Sequence, residues 1–204
     1  MSARDKLFSA QYFPPILFFR HAMGGGNNYL ELHENFQKQS YRNRCEIYSP
    51  MGKMNLVVPV QHGKAERQLG TQIQISYNTN WVKDHIKSLE AAYRSSAYFE
   101  YYEDEIRQIY AKKPEKLFDL NVLALEWVFK KLDLENNFSY TDKYHESFDG
   151  IDLREYIHPK KPTDVSFPEY HQVFATKHGF IPNLSILDLL LNLGPQSRMY
   201  IRQL

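Results

Sequence analysis

The chain has 204 residues, of which 43% are hydrophobic, and its 25 Lys and Arg residues nearly balance its 24 Asp and Glu residues. A chain of this length is expected to bury about 70–75% of the surface of the unfolded chain, so one core is sufficient and we predict a single domain over residues 1–204. The balanced charge excludes the strongly basic field that holds nucleic acid or an anionic membrane through phosphate groups, and we expect neither to be a partner.

The cellular setting is indicated by three features. Cys45 is the single cysteine, which excludes an intramolecular disulfide and favours a reducing compartment. The N-terminal stretch MSARDKLFSAQYFPP lacks the long apolar run and the small-residue cleavage site of a secretory signal. The most apolar stretch, LSILDLLLNL, is shorter than the about 20 residues that cross a membrane, and it contains Asp188. We therefore predict a cytoplasmic protein without a membrane span.

The N-terminal third begins with a strand–helix–strand pattern. Residues 7–13 (LFSAQYF) predict a short buried strand that ends at two prolines, and PILFFRHAM predicts about two helical turns that end at a run of glycines. Residues 28–33 predict a second strand. The intervening residues 14–27 are just long enough for a right-handed crossover, so we predict that the two strands are parallel neighbours.

Parallel strands end at the same edge of a sheet, and ligands of open α/β sheets bind at that edge. The pattern therefore places Gln11 and Tyr12, at the end of the first strand, near His33 and Asn35, at the end of the second. We predict a ligand site at this edge.

Three further strands are indicated in the next segment. Residues 44–49 and 54–60 flank Gly52 and predict a β-hairpin. Residues 72–78 (QIQISYN) alternate apolar and polar side chains and predict another half-buried strand.

The period becomes helical from residue 80 onward, with Asn78 and Asn80 as candidates for the N-cap. Three amphipathic helices are predicted over NTNWVKDHIKSLEAAYR, AYFEYYEDEIRQIYA and EKLFDLNVLALEWVFKKL. Polar Asn121 lies on the apolar stripe of the third helix, and the inward face of the first helix carries Trp81, His85, Leu89 and Ala92. For Trp81 and His85, core packing and a pocket wall are the two alternatives.

The C-terminal third is predicted as a strand within NNFSYTDKY, one helical turn at DLREYI and two closing helices, FPEYHQVFATKHG and LSILDLLLNLG. The last helix is apolar nearly all round, so we expect it to be buried in the core or in a homodimer contact. The fold class is accordingly α/β, with a mixed sheet, an N-terminal β-α-β crossover and several packed helices. An α+β arrangement is the alternative.

The segment HENFQKQSYRNR, residues 33–44, is dense in polar side chains, and its apolar residues fit neither the helical nor the strand period. A solvated loop is one interpretation and a pocket wall is the other. On a strand, Arg42 and Arg44 would project to the same side and could hold a phosphate or carboxylate from two points. Including aromatic, basic and amide side chains from other elements, the candidate substrate-binding residues are Tyr12, Asn35, Gln37, Lys38, Arg42, Asn43, Arg44, Trp81, His85 and Asn121.

His33 is the candidate catalytic residue, because it ends the second strand and an unperturbed imidazole can accept a proton at neutral pH. The alternative is a histidine that fixes a loop backbone. A thiol nucleophile at Cys45 is disfavoured, since Cys45 shares a strand face with Ile47 and free cysteine is commonly a small buried hydrophobe. The eight histidines are scattered without an HExxH pattern, and we expect no metal site.

Several motifs together resemble the WbqC-like proteins. They are QYFPPILFF, HENFQKQSYRNR, LVVPV, a W…H…YR helix, LFDLN and GFIPNLSILDLL, and the resemblance runs from Gln11 to Leu193. It implies a role in bacterial surface polysaccharide (O-antigen) biosynthesis and a glycyl or related acyl transfer to an amino sugar.

Three hypotheses are consistent with these observations. The first is an acyl or aminoacyl transferase in which His33 deprotonates the amine of a nucleotide-linked amino sugar, with the acyl group arriving on coenzyme A or on the pantetheine of an acyl carrier protein. No tightly bound cofactor is expected in that case. The second is a non-catalytic module that binds a sugar or nucleotide, and the third is an oligomerising interaction protein.

Overall fold

The computed structural model describes residues 4–61 and 68–204. The first three residues of the segment inspected for a secretory signal therefore lie outside the described residues. Within the described part, a parallel sheet and an antiparallel hairpin pack with helices around one aromatic-rich core. Both strand orientations are present, which confirms the predicted α/β class.

The larger sheet has four short parallel strands in the order β5-β2-β1-β6. Their bounds are Lys6–Phe8 for β1, Asn28–Leu30 for β2, Phe138–Tyr140 for β5 and Ile151–Asp152 for β6. β1 pairs in parallel with β2, with Leu7 opposite Tyr29. The helix α1, Ile16–Ala22, connects β1 to β2, so the predicted β-α-β unit with parallel strands is confirmed.

The hairpin comprises β3, Arg44–Ser49, and β4, Gly52–Val57. Ser49 lies opposite Gly52, and Gly52 adopts a φ of 96°, a backbone conformation that favours glycine. The hairpin was predicted within a mixed sheet; in the structure it forms a two-stranded sheet of its own beside the parallel one.

Three amphipathic helices follow the hairpin, namely α2 (Trp81–Tyr93), α3 (Phe99–Ala111) and α4 (Leu117–Lys131). The residues predicted on the inward face of α2 are all buried, as is Asn121 on α4. Among residues 4–61 and 68–204, no helix combines the length and the apolar character needed to cross a membrane.

The chain closes with α5 (Ala175–His178), α6 (Ile186–Leu193) and α7 (Ser197–Arg202). The predicted apolar helix is α6, and its leucines at 187, 190 and 191 are all 0% exposed. The helix is therefore buried in the core of this chain, so its apolar surface does not require a dimer contact. Gly194 follows it with a φ of 53°.

A buried carboxylate within α6 explains how a charged residue fits this apolar helix. Asp188 accepts hydrogen bonds from the hydroxyls of Tyr93 (2.8 Å) and Tyr170 (2.6 Å) and from Nε2 of Gln172 (2.9 Å). Burial raises the pKa of Asp188, while these three donors act in the opposite direction. Asp188 therefore connects α6 through hydrogen bonds to α2 and to the loop that carries Tyr170 and Gln172.

Three predicted elements are wrong. Residues 72–78 form no strand; the chain turns through a short 3₁₀ helix at Gly70–Gln72 and then makes single bridges from Gln74 to Lys116 and from Ile75 to Val60. DLREYI contains turns but no helix, and its first residue, Asp152, forms the unpredicted strand β6 together with Ile151.

In FPEYHQVFATKHG, only Ala175–His178 is helical. The reason is Gln172, whose amide donates to the carbonyl of Ile181 and accepts from its N–H, both at 2.9 Å, and thereby holds this segment as a loop.

Candidate functional site

The four strands of the parallel sheet have their carboxyl ends at one edge, which we call the sheet edge. Polar side chains follow each strand there: Ser9 after β1, Glu31 after β2, Thr141 after β5 and Arg154 after β6. Ligands of open α/β folds bind at this edge. The candidate site therefore comes from four segments that are distant in sequence.

Glu31 is the centre of the first charge cluster at the sheet edge, and its side chain is 0% exposed. It accepts hydrogen bonds from the Thr141 hydroxyl (2.7 Å), the backbone N–H groups of His33 (2.9 Å) and His145 (3.3 Å), and Nη1 of Arg154 (3.2 Å). A buried carboxylate with four donors is well satisfied. Its main role is to fix the segments that follow β2, β5 and β6.

Arg154 links this cluster to Asp152. Its Nε donates to Oδ1 at 3.0 Å and its Nη2 to Oδ2 at 2.6 Å, and Nη2 also donates to the carbonyl of His145 at 2.7 Å. Burial raises the pKa of Asp152, but the hydrogen bonds from Arg154 outweigh burial and hold this pKa below its usual value. All three guanidinium nitrogens of Arg154 therefore donate hydrogen bonds to protein groups.

Glu34 and Arg42 form a second cluster beside the first. Nε of Arg42 donates to Oε1 of Glu34 at 2.9 Å, Nη2 to Oε2 at 2.5 Å, and Nη2 also to the Ser9 hydroxyl at 2.8 Å. Nη1 donates to Oε1 of Gln37 at 3.2 Å, and the Gln37 amide donates to Glu155. Arg42 is only 4% exposed. The predicted anion-binding guanidinium is thus bound by a carboxylate of the same chain.

A cavity of about 20 Å³ lies between the two clusters, and Glu31, Glu34, Arg42 and Asn121 line it. This volume is sufficient for one water-sized group. Asn121 donates through Nδ2 to the carbonyls of Ala10 (3.2 Å) and Arg42 (2.8 Å), whereas its Oδ1 is buried without a hydrogen-bond partner among the described residues. The site therefore offers one acceptor to an N–H or O–H group.

The predicted fork of Arg42 and Arg44 is not formed. β3 begins at Arg44, so Arg42 lies before the strand, and its side chain is directed to Glu34. Arg44 is half-buried, pairs with Val57 in the hairpin and forms no ion pair with a described residue. The two guanidiniums therefore do not act as one anion-binding pair in this structure.

The other polar residues of 33–44 divide into structural and exposed groups. Asn43 donates through Nδ2 to the carbonyl of Val58 at 3.0 Å and so fixes the end of the hairpin. Gln37 connects Arg42 to Glu155, as described above. Asn35 and Lys38 are exposed. The density of polar side chains thus has a structural cause in Arg42, Gln37 and Asn43.

His33 follows β2 at the sheet edge and is half-buried. Its backbone N–H binds Glu31, but its imidazole makes no hydrogen bond with a described residue and does not line the cavity. The ring is thus not used by the scaffold, and its role as a general base stays a prediction.

Tyr12 and His85 lie in a buried network with Tyr110, away from the cavity. The carbonyl of Val57 accepts from Nε2 of His85 (3.1 Å), so Nδ1 is the acceptor for the Tyr12 hydroxyl (3.1 Å), which in turn accepts from Tyr110. Burial lowers the pKa of His85 to about 4, so the ring is neutral. The structure therefore places Tyr12 in the core instead of beside His33.

Trp81 packs edge-on against His85 with ring centroids 5.0 Å apart, and it is 4% exposed. Both residues consequently follow the core alternative and not the pocket-wall alternative. Cys45 is also buried, and burial raises the pKa of its thiol, which opposes a role as nucleophile. Among the described residues, no group of three or more His, Cys, Asp or Glu side chains could hold a metal ion.

Four charged residues of the two clusters were not predicted from the sequence: Glu31, Glu34, Asp152 and Arg154. A usable signal was present in LELHEN, where two carboxylates follow the end of a buried strand, and in the closely spaced Asp and Arg of DLR. The position of these charged residues relative to one another depends on β6, the strand that was not predicted.

Comparison with known proteins agrees with the resemblance noted in the sequence. The model of the WbqC-like protein family matches residues 10–158 and 149–200. An uncharacterized protein of Mycobacterium tuberculosis, Rv1507c, is 25% identical over 197 residues, which cover 82% of this chain and 84% of the relative. No solved structure gives a significant match. Because the family model covers nearly the whole chain, the chain belongs to the WbqC-like protein family.

Proposed function

We propose that this protein, acting as one domain over residues 1–204, transfers an acyl or aminoacyl group, such as glycyl, to the amine of a nucleotide-linked amino sugar. The setting is the cytoplasmic stage of bacterial surface polysaccharide (O-antigen) biosynthesis. The observation that carries the proposal is the cavity at the sheet edge, which combines two charge clusters with the unpartnered acceptor of Asn121.

The charge at the sheet edge favours an amine over a phosphate. Within the two charge clusters, the carboxylates of Glu31, Glu34, Asp152 and Glu155 outnumber the guanidiniums of Arg42 and Arg154. An excess of carboxylate attracts a protonated amino sugar, and the amine can donate to Oδ1 of Asn121. This reverses the charge expected from the sequence, where Arg42 and Arg44 were expected to hold a phosphate or carboxylate.

The chemical step requires a base for the amine, and the candidate is His33, two residues after Glu31, which lines the cavity. The amine nitrogen forms a bond to the acyl carbon of a thioester, the carbon–sulfur bond breaks, and the thiolate leaves. The bound ammonium first releases one proton to solvent; His33 accepts the second proton, which the nitrogen loses as the amide forms, and passes it to the thiolate. Its imidazole is available for this transfer because no described residue binds it.

Product analysis tests the proposal. Purified protein would be incubated with UDP-glucosamine and either acetyl- or glycyl-coenzyme A, and the acylated sugar measured by mass spectrometry. UDP-glucose, which lacks the amine, is the matched control. An acylated product that forms with UDP-glucosamine and does not form with UDP-glucose supports the proposal. Absence of product with both thioesters, while UDP-glucosamine binds in calorimetry, contradicts acyl transfer from coenzyme A.

The second candidate is a non-catalytic module that binds an amino sugar. It is favoured by the hydrogen bonds that stabilise the clusters. Glu31 and Arg154 are already bound by protein groups and have no role in a reaction. Binding of UDP-glucosamine that persists without turnover, also with a carrier-protein thioester as donor, supports this candidate over the transferase.

A further inference from the structure

A second and larger concavity lies on α2, outside the sheet edge. It has a volume of about 1000 Å³, which is in the range of nucleotide and cofactor sites. One wall is the exposed side of α2, and the other is formed by residues 74–77 and 113–115. We call it the α2 groove.

The α2 groove carries an excess of positive charge. Lys83 and Lys87, one helical turn apart, line it together with Lys113, and none of them forms an ion pair with a described residue. Arg107 also lines it but is bound by Glu90 and Glu103. Glu90 lines the groove as well and is paired with Arg107, so Glu115 is the one carboxylate among the described lining residues without such a pair. Three lysines against one glutamate favour a ligand with more than one negative charge.

The α2 groove also offers a surface for a flat ring. Tyr77 is 40% exposed, its ring lies 5.7 Å from that of Trp81, and its hydroxyl donates to the carbonyl of Pro114 at 2.9 Å. The ring is therefore held in place while one side is accessible. Apolar Val82 and the amide side chains of Gln61 and Gln74 line the same groove. A planar base with polar edges fits this combination.

One short segment connects the α2 groove to the cavity at the sheet edge. Thr71 lines the cavity and Gln74 lines the groove. Three residues span at most roughly 11 Å at about 3.6 Å per residue, so the two places lie within the length of a single extended ligand. A second pair of residues three positions apart lies on the opposite wall: Phe118 lines the cavity and Glu115 lines the groove.

We propose that the α2 groove binds the nucleoside diphosphate portion of one substrate, with the phosphates on Lys83, Lys87 and Lys113 and the base on Tyr77. The proposal rests on the proposed function for the identity of the ligand, because coenzyme A and a nucleotide sugar share this chemistry. Charge and shape support it: the sheet edge has excess carboxylate and cannot be the phosphate site, whereas the α2 groove has excess ammonium.

Isothermal titration calorimetry with coenzyme A, UDP-glucosamine and inorganic pyrophosphate tests the proposal. We expect one of the two nucleotides to bind at least about tenfold more tightly than pyrophosphate, and the Lys83→Glu/Lys87→Glu variant to weaken that binding by at least about tenfold. Lys112→Glu, an exposed charge reversal next to the groove, is the matched control and should change binding by less than about threefold. The stronger of the two nucleotides identifies the source of the diphosphate.

Tyr77→Leu separates the base contact from the phosphate contact. It should weaken nucleotide binding and leave pyrophosphate binding unchanged, because pyrophosphate has no base. Equal binding by wild type and the double lysine variant would overturn the proposal, as would no binding of either nucleotide. Nucleotide binding that depends on Lys83 and Lys87 but is accompanied by no acyl transfer would retain the groove and refute the proposed function.

Discussion

Arg42 and Glu34 meet through two hydrogen bonds, from Nε to Oε1 at 2.9 Å and from Nη2 to Oε2 at 2.5 Å, in a place where both side chains are almost fully buried. Ser9 completes the arrangement by binding both partners. The pair therefore connects the residue after β1 to the segment before β3, and it determines how residues 33–44 can be substituted.

Arg42→Met is expected to lower the free energy of unfolding by about 3–5 kcal/mol, because it leaves the carboxylate of Glu34 buried without its counter-ion. The variant Arg42→Met/Glu34→Gln should lose less than Arg42→Met alone, since Gln carries no charge to leave unpaired. Urea denaturation of the three proteins measures both differences. The matched control is Arg44→Met, which breaks no ion pair with a described residue and should cost about 1 kcal/mol or less. Equal losses at 42 and 44 would contradict a structural role for the pair.

Asn121→Ala should destabilise the protein by about 1–3 kcal/mol, because the carbonyls of Ala10 and Arg42 lose their donor in a buried place. It should also weaken the binding of UDP-glucosamine more than that of UDP-glucose, since only the amino sugar can donate an amine hydrogen to Oδ1. Denaturation and calorimetry measure the two effects separately. Loss of stability with unchanged sugar preference would restrict Asn121 to a structural role.

His33→Ala should reduce kcat by about 10²- to 10⁴-fold with little change in stability, because a general base acts in the transition state and this imidazole binds no described residue. Steady-state kinetics with UDP-glucosamine measure the loss. His171→Ala, at an exposed histidine, is the control and should retain full activity. A His33 variant that binds normally and turns over at the wild-type rate would exclude the base.

Stability is expected to fall as the pH decreases from about 6.5 toward 4. Burial lowers the pKa values of His85 and His21 to about 4, so in this window the unfolded chain binds protons that the folded chain does not. His85→Gln keeps a donor and an acceptor without a titrating group. Its loss of stability between pH 7 and pH 4.5 should be smaller than that of the wild type by about 2–3 kcal/mol, the share of one histidine.

Urea denaturation at the two pH values checks this expectation. His171→Gln, a substitution at an exposed position, should leave the difference between the two pH values as it is in the wild type. An unchanged difference in His85→Gln would mean that the pKa of His85 is the same in the folded and the unfolded protein.

Elements with local determinants were predictable from the sequence. The hairpin was found because strand alternation and Gly52 lie within one short segment, and β3 has the predicted bounds. The helices α2 to α4 were found because their apolar period is strong. By contrast, Ile73 and Ile75 alternate like strand residues, but their segment is held by single bridges and by hydrogen bonds to residues 115–117. That outcome depends on tertiary contacts and not on the local pattern.

The candidate site was predictable only in its location. The parallel pairing of β1 and β2 correctly gave a sheet edge, but the groups that build the clusters come from residues as distant as Glu31 and Arg154. No local period relates such residues. The sequence therefore showed Arg42 as a charged residue among amides, while its counter-ion Glu34 looked like one more polar residue of the segment.

The pairing of chain ends has a consequence for synthesis on the ribosome. Lys6 of β1 pairs with Ile151 of β6, and the N–H of Ile16, where α1 begins, donates to the carbonyl of Leu184. The core around α1 therefore lacks its partners until the residues of α6 have been translated. Because such distant contacts close late, α1 is without its contact to Leu184 in every translated segment that stops before α6.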